Sequence, residues 1–225
     1  MARRSASLLA IATIALLAAV AAAPRSQAGV ACTSSYSYAG LADGAPGRAV
    51  TATITPLAPP QVAWGHVAAW IGVGGPRMGP KHTDAWIQVG FSGFYGGVTK
   101  LYYEVARPGV APRYYELDAA PVIGQPRRLA ISEIRGHRSW WQISVDGKAV
   151  APAVHLAGSH LRWSPMATAE SWNAGQGRCN KFSYRFEGVS VATRRGWRKL
   201  TPGTIFQSPG YAVRRSGASF TAASR

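Results

Sequence analysis

The stretch Trp140-Trp141-Gln142-Ile143-Ser144-Val145-Asp146-Gly147-Lys148-Ala149-Val150 decides the fold class. Trp141, Ile143 and Val145 recur at every second residue, with Trp140, Gln142 and Ser144 between them. A period of two puts the two sets on opposite sides of a strand. Asp146-Gly147 follows, and that pair accepts the positive φ angles of a type I′ turn, so the stretch predicts a β-hairpin. Working outward, similar short runs recur between Gly and Pro: Ala49–Thr55, His66–Val73, Ala85–Gly90, Lys100–Ala106, Arg113–Leu117, Arg128–Ile134, Met166–Trp172 and Lys181–Val191, with Lys148–Val154 completing the hairpin. Gly72–Pro80 and Gly93–Gly97 read as loops. No window holds a helical period. Roughly ten strands at this spacing predict an all-β antiparallel sandwich or barrel.

The ends of the chain differ from this middle. Arg3 and Arg4 precede an uncharged apolar run from Leu8 to Ala23, and Pro24, Arg25 and Ser26-Gln27-Ala28-Gly29 follow. That three-part layout is expected of a secretory signal peptide over residues 1–28, cleaved after Ala28. The run is short of the ~20 residues that a membrane helix needs, so no span is expected after cleavage. The expected mature part is one domain, 29–225, extracellular, ending in a basic segment from about residue 193. Trp197, Phe206, Tyr211 and Phe220 in that segment predict that it packs on the domain. Cys32 and Cys179 are the only two cysteines. In an oxidising compartment they are expected to pair, and a bridge closing so long a loop contributes roughly 4–5 kcal/mol in the chain-entropy view. The chain carries 25 Lys and Arg against 9 Asp and Glu, a formal net charge of +16. Such an excess suits an anionic polymer or simply a solvated surface; scattered arginines on an exported chain argue against a specific nucleic-acid site.

Alternation also locates a face. Trp86 and Gln88 share one side of their run, opposite Ile87 and Val89; Tyr102 and Glu104 lie opposite Leu101, Tyr103 and Val105. Trp140 and Gln142 lie opposite Trp141 and Ile143, and Thr168, Glu170 and Trp172 share a side. Trp and Tyr mixed with amides and carboxylates on four strands predict the floor of a binding cleft. A face covered by the C-terminal segment is the competing expectation.

At these residues the chain resembles a known family. Ala69-Trp70-Ile71-Gly72-Val73-Gly74-Gly75, then Trp86-Ile87-Gln88-Val89-Gly90, then Tyr102-Tyr103-Glu104, resemble in order the motifs of the glutamic peptidases, or eqolisins, with Lys181-Phe182-Ser183-Tyr184-Arg185-Phe186 as the late Phe-containing strand. The resemblance covers roughly Trp70 to Val191. It implies a concanavalin A-like jelly roll of the lectin and glucanase type, with a concave sheet. It also implies a catalytic dyad: Glu170 as general base on a water, and Gln88 as hydrogen-bond donor to the oxyanion. Trp70, Trp86, Tyr102, Glu104, Trp140, Gln142 and Trp172 are then the expected substrate-binding residues. Gly74 stands where the family usually carries Asp. The family also has a second Glu four residues before its catalytic one, so two registers are open. Either Glu170 is the catalytic residue, with Met166 at the earlier position, or Glu170 is the earlier one and Ala174 occupies the catalytic place.

Other chemistries find little support. Gly90-Phe91-Ser92-Gly93 lacks the spacing of a nucleophile elbow, and Gly72-Val73-Gly74-Gly75 lacks the third glycine of a dinucleotide loop. His155 and His160 have no neighbouring Cys or carboxylate in sequence, so neither metal nor cofactor is expected. Glu104 and Glu170 would suit a glycosidase if spaced ~5–5.5 Å for retention or ~6.5–9.5 Å for inversion. The expected partner is therefore a polypeptide substrate, with a cell-wall polysaccharide held by the same aromatic and Gln face as the lectin-like alternative.

Overall fold

A computed structural model describes residues 36–118, 123–200, 203–217 and 219–225. The signal segment and Cys32, hence the expected bridge to Cys179, lie outside them. The strands are β1 Tyr36–Ala42, β2 Ala49–Pro56, β3 His66–Gly75, β4 Ala85–Phe94, β5 Lys100–Arg107, β6 Val110–Asp118, β7 Arg127–Glu133 and β8 Trp140–Val145. They continue as β9 Lys148–Ala149, β10 Val154–His155, β11 Pro165–Trp172, β12 Ser183–Thr193, β13 Gly196–Lys199, β14 Thr204–Gln207, β15 Tyr211–Ser216 and β16 Ser219–Ser224. One 3-10 turn, Pro80–His82, is the sole helical element among the described residues. No described helix is long and apolar enough to cross a membrane.

The chain is all-β, an antiparallel jelly-roll sandwich of the concanavalin A-like type. One sheet runs β14-β1-β11-β3-β4-β5-β6; the other runs β10-β8-β7-β2-β12-β16-β15, with β13 on β12 and β9 on β8. Alternation dictates the packing. Val67, Ala69, Ile71 and Val73 of β3 and Ile87, Val89 and Phe91 of β4 point inward from the first sheet. Val50, Ala52 and Ile54 of β2, Leu129 and Ile131 of β7, and Trp141, Ile143 and Val145 of β8 meet them from the second. Each large apolar side chain so buried contributes on the order of 1.5–3 kcal/mol before entropy is counted. The remaining parity of the first sheet carries a smaller cluster of Ala68, Trp70 and Tyr102 on its outer face.

The hairpin at Asp146-Gly147 forms as expected, with φ of 51° and 80° and Val145 paired to Lys148. The structure departs from the sequence reading in several places, among them Gly93, read as loop but paired to Val67 within β4. Gly72–Gly75 is not loop but the end of β3, paired to Ala85–Gln88. Lys148–Val154 is two short strands rather than one. The C-terminal segment does not lie over a finished sandwich: β14 extends the first sheet along β1, while β15 and β16 extend the second beside β12. Tyr211 and Phe220 join the core, but Trp197 is exposed.

Candidate functional site

Rows of paired residues cross the outer face of the first sheet. Gln88 on β4 is flanked by Gly72 on β3 and Glu104 on β5, and Gly72 in turn pairs with Met166 on β11. Two residues along, Trp70 pairs with Thr168 on one side and Gly90 on the other. One step further, Glu170 pairs with Ala68 and with Tyr38 of β1. The glycines make the room. A Cβ at Gly90 would sit 2.0 Å from the Ala69 carbonyl oxygen, and one at Gly72 would sit 3.0 Å from the Trp70 ring. The indole of Trp70 therefore fills the space between β3 and β4 and forms the floor.

Above that floor lies a groove of about 690 Å³. Gln88, Glu170, Glu104, Trp70 and Trp86 all line it. Gln88 and Glu170 are each only 7% exposed, yet both open on this groove. Gln88 Nε2 donates to the Tyr102 hydroxyl at 3.0 Å, which fixes the amide and leaves its second N–H for a ligand. Glu170 Oε1 lies 3.5 Å from His66 Nε2. The His66 ring is packed against Trp172, Phe94 and Tyr36, with centroids at 5.4, 5.6 and 6.1 Å. Trp86 Nε1 donates to Glu104 Oε1 at 2.8 Å.

Burial pushes the Glu104 carboxyl up, and the negative charge of Glu170 adds to the rise, while the Trp86 hydrogen bond and His66 oppose it. Burial, then Glu170, likewise raises the hydroxyls of Tyr36, Tyr38 and Tyr102, so these phenols stay neutral through the physiological range. A carboxyl whose folded-state pKa lies above its unfolded value has the same proton count in both states in strong acid. As pH rises past the usual Glu value of ~4.3, the unfolded chain releases its proton first, and stability falls. Glu104→Gln keeps an acceptor for Trp86 and removes that loss. Its melting temperature is expected to match the parent below the usual Glu range and to exceed it increasingly toward neutral pH. Parallel melting curves across that range check the sign.

The Trp70 indole N–H is buried without a hydrogen-bond partner in the floor of the groove. A buried orphan donor costs about 1–3 kcal/mol. Trp70→Phe removes that donor and keeps an aromatic ring in place, so stability is expected to be unchanged or raised. Parallel melting curves test this; a melting temperature lowered by several degrees would show that the packing of the indole outweighs its orphan N–H.

Some expected site residues lie elsewhere. Trp140 and Gln142 are not in the groove at all: β8 belongs to the second sheet, where Trp140 stacks at 5.0 Å on His155 and Gln142 Nε2 donates to the Ala151 carbonyl at 2.7 Å. Tyr102 lies under the groove rather than along it, sandwiched against Tyr114 at 5.0 Å. Trp172 stands beyond the lining, stacked on Tyr36 at 6.0 Å. Ala174 sits in the turn after β11 with φ of 49° and does not line the groove, whereas Met166 does. Glu170 lines the groove whichever of the two registers applies. His66, Tyr36, Tyr38, Asp84 and Phe206 line the groove or meet its carboxylates without having been expected there. His66 shares parity with Ala68 and Trp70, so extending the alternation to β3 would have found it. Asp84 lines the groove together with Gly74, and its carboxylate accepts the Arg77 backbone N–H at 2.9 Å. Among the described residues no group of three His, Cys, Asp or Glu side chains could hold a metal.

The fold is a concanavalin A-like sandwich of two antiparallel sheets. By shape the chain is similar to scytalidoglutamic peptidase solved with a peptide-based transition state analogue, at 16% identity and TM-score 0.59, over 85% of this chain and 98% of that one. It is similar to the same degree to that peptidase with a transition state analogue inhibitor. SCP-B, a member of the eqolisin family of peptidases solved with the tripeptide Ala-Ile-His, matches at 16% identity and TM-score 0.57 over the same shares. At this identity the likeness is one of fold. No protein-family model and no curated protein matches the sequence.

Proposed function

We propose that this chain is an exported glutamic-type endopeptidase that binds an extended polypeptide in the groove of its first sheet. One observation carries the reading: a buried amide on β4 and a buried carboxylate on β11, the strands flanking β3, open on one groove. The eqolisin-like fold supports it. In this reaction the Glu170 carboxylate takes a proton from a water, and the water oxygen bonds to the scissile carbonyl carbon. The Gln88 N–H left free by Tyr102 donates to the oxyanion that forms. The C–N bond then breaks, the proton on Glu170 passes to the leaving amine, and Glu170 returns to its carboxylate form. Incubating the purified chain with an unfolded protein across acid and neutral pH tests the reading. Internal cleavage supports it, and an intact substrate at every pH defeats it.

The groove's edge favours one second reading. Tyr36 and Trp172 are exposed and stacked beside it, a platform that also suits a sugar ring. On that reading the protein is a lectin-like module that binds a cell-wall polysaccharide in the same groove without cutting it. Polysaccharide binding abolished by Trp172→Ala, together with absent proteolysis, would select it.

A further inference from the structure

Every acidic side chain that is described is already engaged. Asp43 pairs with Arg198, Glu116 with Lys100, Asp146 with Arg127, and Glu187 with Arg185. Glu133 holds His160, Glu170 faces His66, Glu104 accepts from Trp86, and Asp84 accepts the Arg77 backbone N–H. Apart from Arg198, which Asp43 holds, none of them pairs with the arginines that crowd two adjoining clefts near the ends of β2, β7 and β12. The larger cleft, about 730 Å³, is lined by Arg48, Arg135 and Arg138. The other, about 510 Å³, is lined by Arg194 and Arg195, with the Asp43-paired Arg198 beside them. Leu161 and Trp197 line both, so the two form one continuous surface, and neither shares a residue with the groove.

The backbone that carries these arginines is held by hydrogen bonds. Arg48 is pinned by its backbone N–H to the Ala192 carbonyl and by its own carbonyl to the Glu133 N–H, both at 2.7 Å. The turn carrying Arg135 and Arg138 is closed by Ile134 N–H to the Trp140 carbonyl at 2.7 Å and His137 N–H to the Ile134 carbonyl at 3.0 Å. In the β12–β13 turn the Arg195 N–H donates to Thr193 Oγ1 at 3.1 Å. The sole acid lining either cleft, Glu133, is sealed: both its oxygens lie 2.8 Å from His160 Nδ1, and Oε1 also accepts the Ser139 N–H. Trp197 stands between the two sets of arginines with 59% of its surface exposed.

We propose that these clefts form a second binding site, separate from the groove, for a polyanionic glycan. Arginine forks bind carboxylate, phosphate or sulfate groups in pairs, and an exposed indole stacks on a sugar ring. Single-stranded nucleic acid is held by aromatics repeated along the chain, and here there is one. A duplex groove is commonly entered by a helix, and the described residues offer none of useful length. The site would tether an exported protein to an anionic polymer outside the cell while leaving its groove open.

Titration of the purified chain with a heparin fragment, used as a sulfated-glycan probe, tests this. Arg135→Gln, Arg138→Gln, Arg194→Gln and Arg195→Gln combined should weaken binding roughly tenfold or more. A control that removes the same charge elsewhere, at Arg77, Arg113, Arg178 and Lys181, should cost less than about threefold. Trp197→Ala should weaken binding several-fold with the salt dependence unchanged. Equal losses in the two quadruple variants would show only the field of the net charge and overturn the site. So would the absence of heparin binding at physiological salt, or tighter binding of an oligothymidylate at the same salt.

Discussion

Glu170→Gln is expected to lower kcat/KM for peptide cleavage by about 10³-fold, the range set by losing a positioned general base. Glutamine has the size and shape of glutamate, so the buried position on β11 keeps its packing against Ala68 and Tyr38. The fold should survive with a melting temperature within a few degrees of the parent. A folded variant that binds a peptide as tightly as the parent but does not cut it separates loss of chemistry from loss of structure. Undiminished cleavage would remove Glu170 from the reaction.

Under the proposed mechanism, in which the amide's free N–H bonds the oxyanion and not the ground-state carbonyl, Gln88→Met should lower kcat by about 10²–10³-fold with KM nearly unchanged. The same substitution strips the Tyr102 hydroxyl of its partner, and an unsatisfied buried hydroxyl costs about 1–3 kcal/mol. Lower stability is thus expected beside the kinetic loss. Steady-state kinetics well below the lowered melting temperature keep the two effects apart. A rise in KM with kcat preserved would make Gln88 a substrate-binding residue instead.

Much of this was legible in the sequence because a strand writes its two faces in alternation. Trp86 and Gln88 on β4, Glu104 on β5, and Thr168 and Glu170 on β11 were assigned to their faces from parity alone. Parity says which side of a strand a residue takes, but not which sheet the strand joins. β8 shows the gap: Trp140 and Gln142 have the same aromatic-plus-amide outer face as β4. Its partners are β7, β9 and β10, so that face belongs to the other sheet. Long-range pairing decided the matter, and nothing local in Trp140–Val145 encodes it. Tyr102 illustrates a second gap. Its face was right, but the stacked Tyr114 beneath which it lies comes from a neighbouring strand whose register slips between Leu101 and Tyr102. The arginine clefts were invisible for a third reason. Arg48, Arg135 and Arg194 are far apart in sequence and meet because β2, β7 and β12 lie side by side.

The most direct test is a crystal structure of the chain with a peptide carrying a non-hydrolysable tetrahedral centre in place of the scissile carbonyl. One oxygen of that centre is expected ~3 Å from the Glu170 carboxylate and the other ~3 Å from Gln88 Nε2. A peptide bound across the second sheet, or one lying in the groove with neither oxygen in reach of those two groups, would contradict the account.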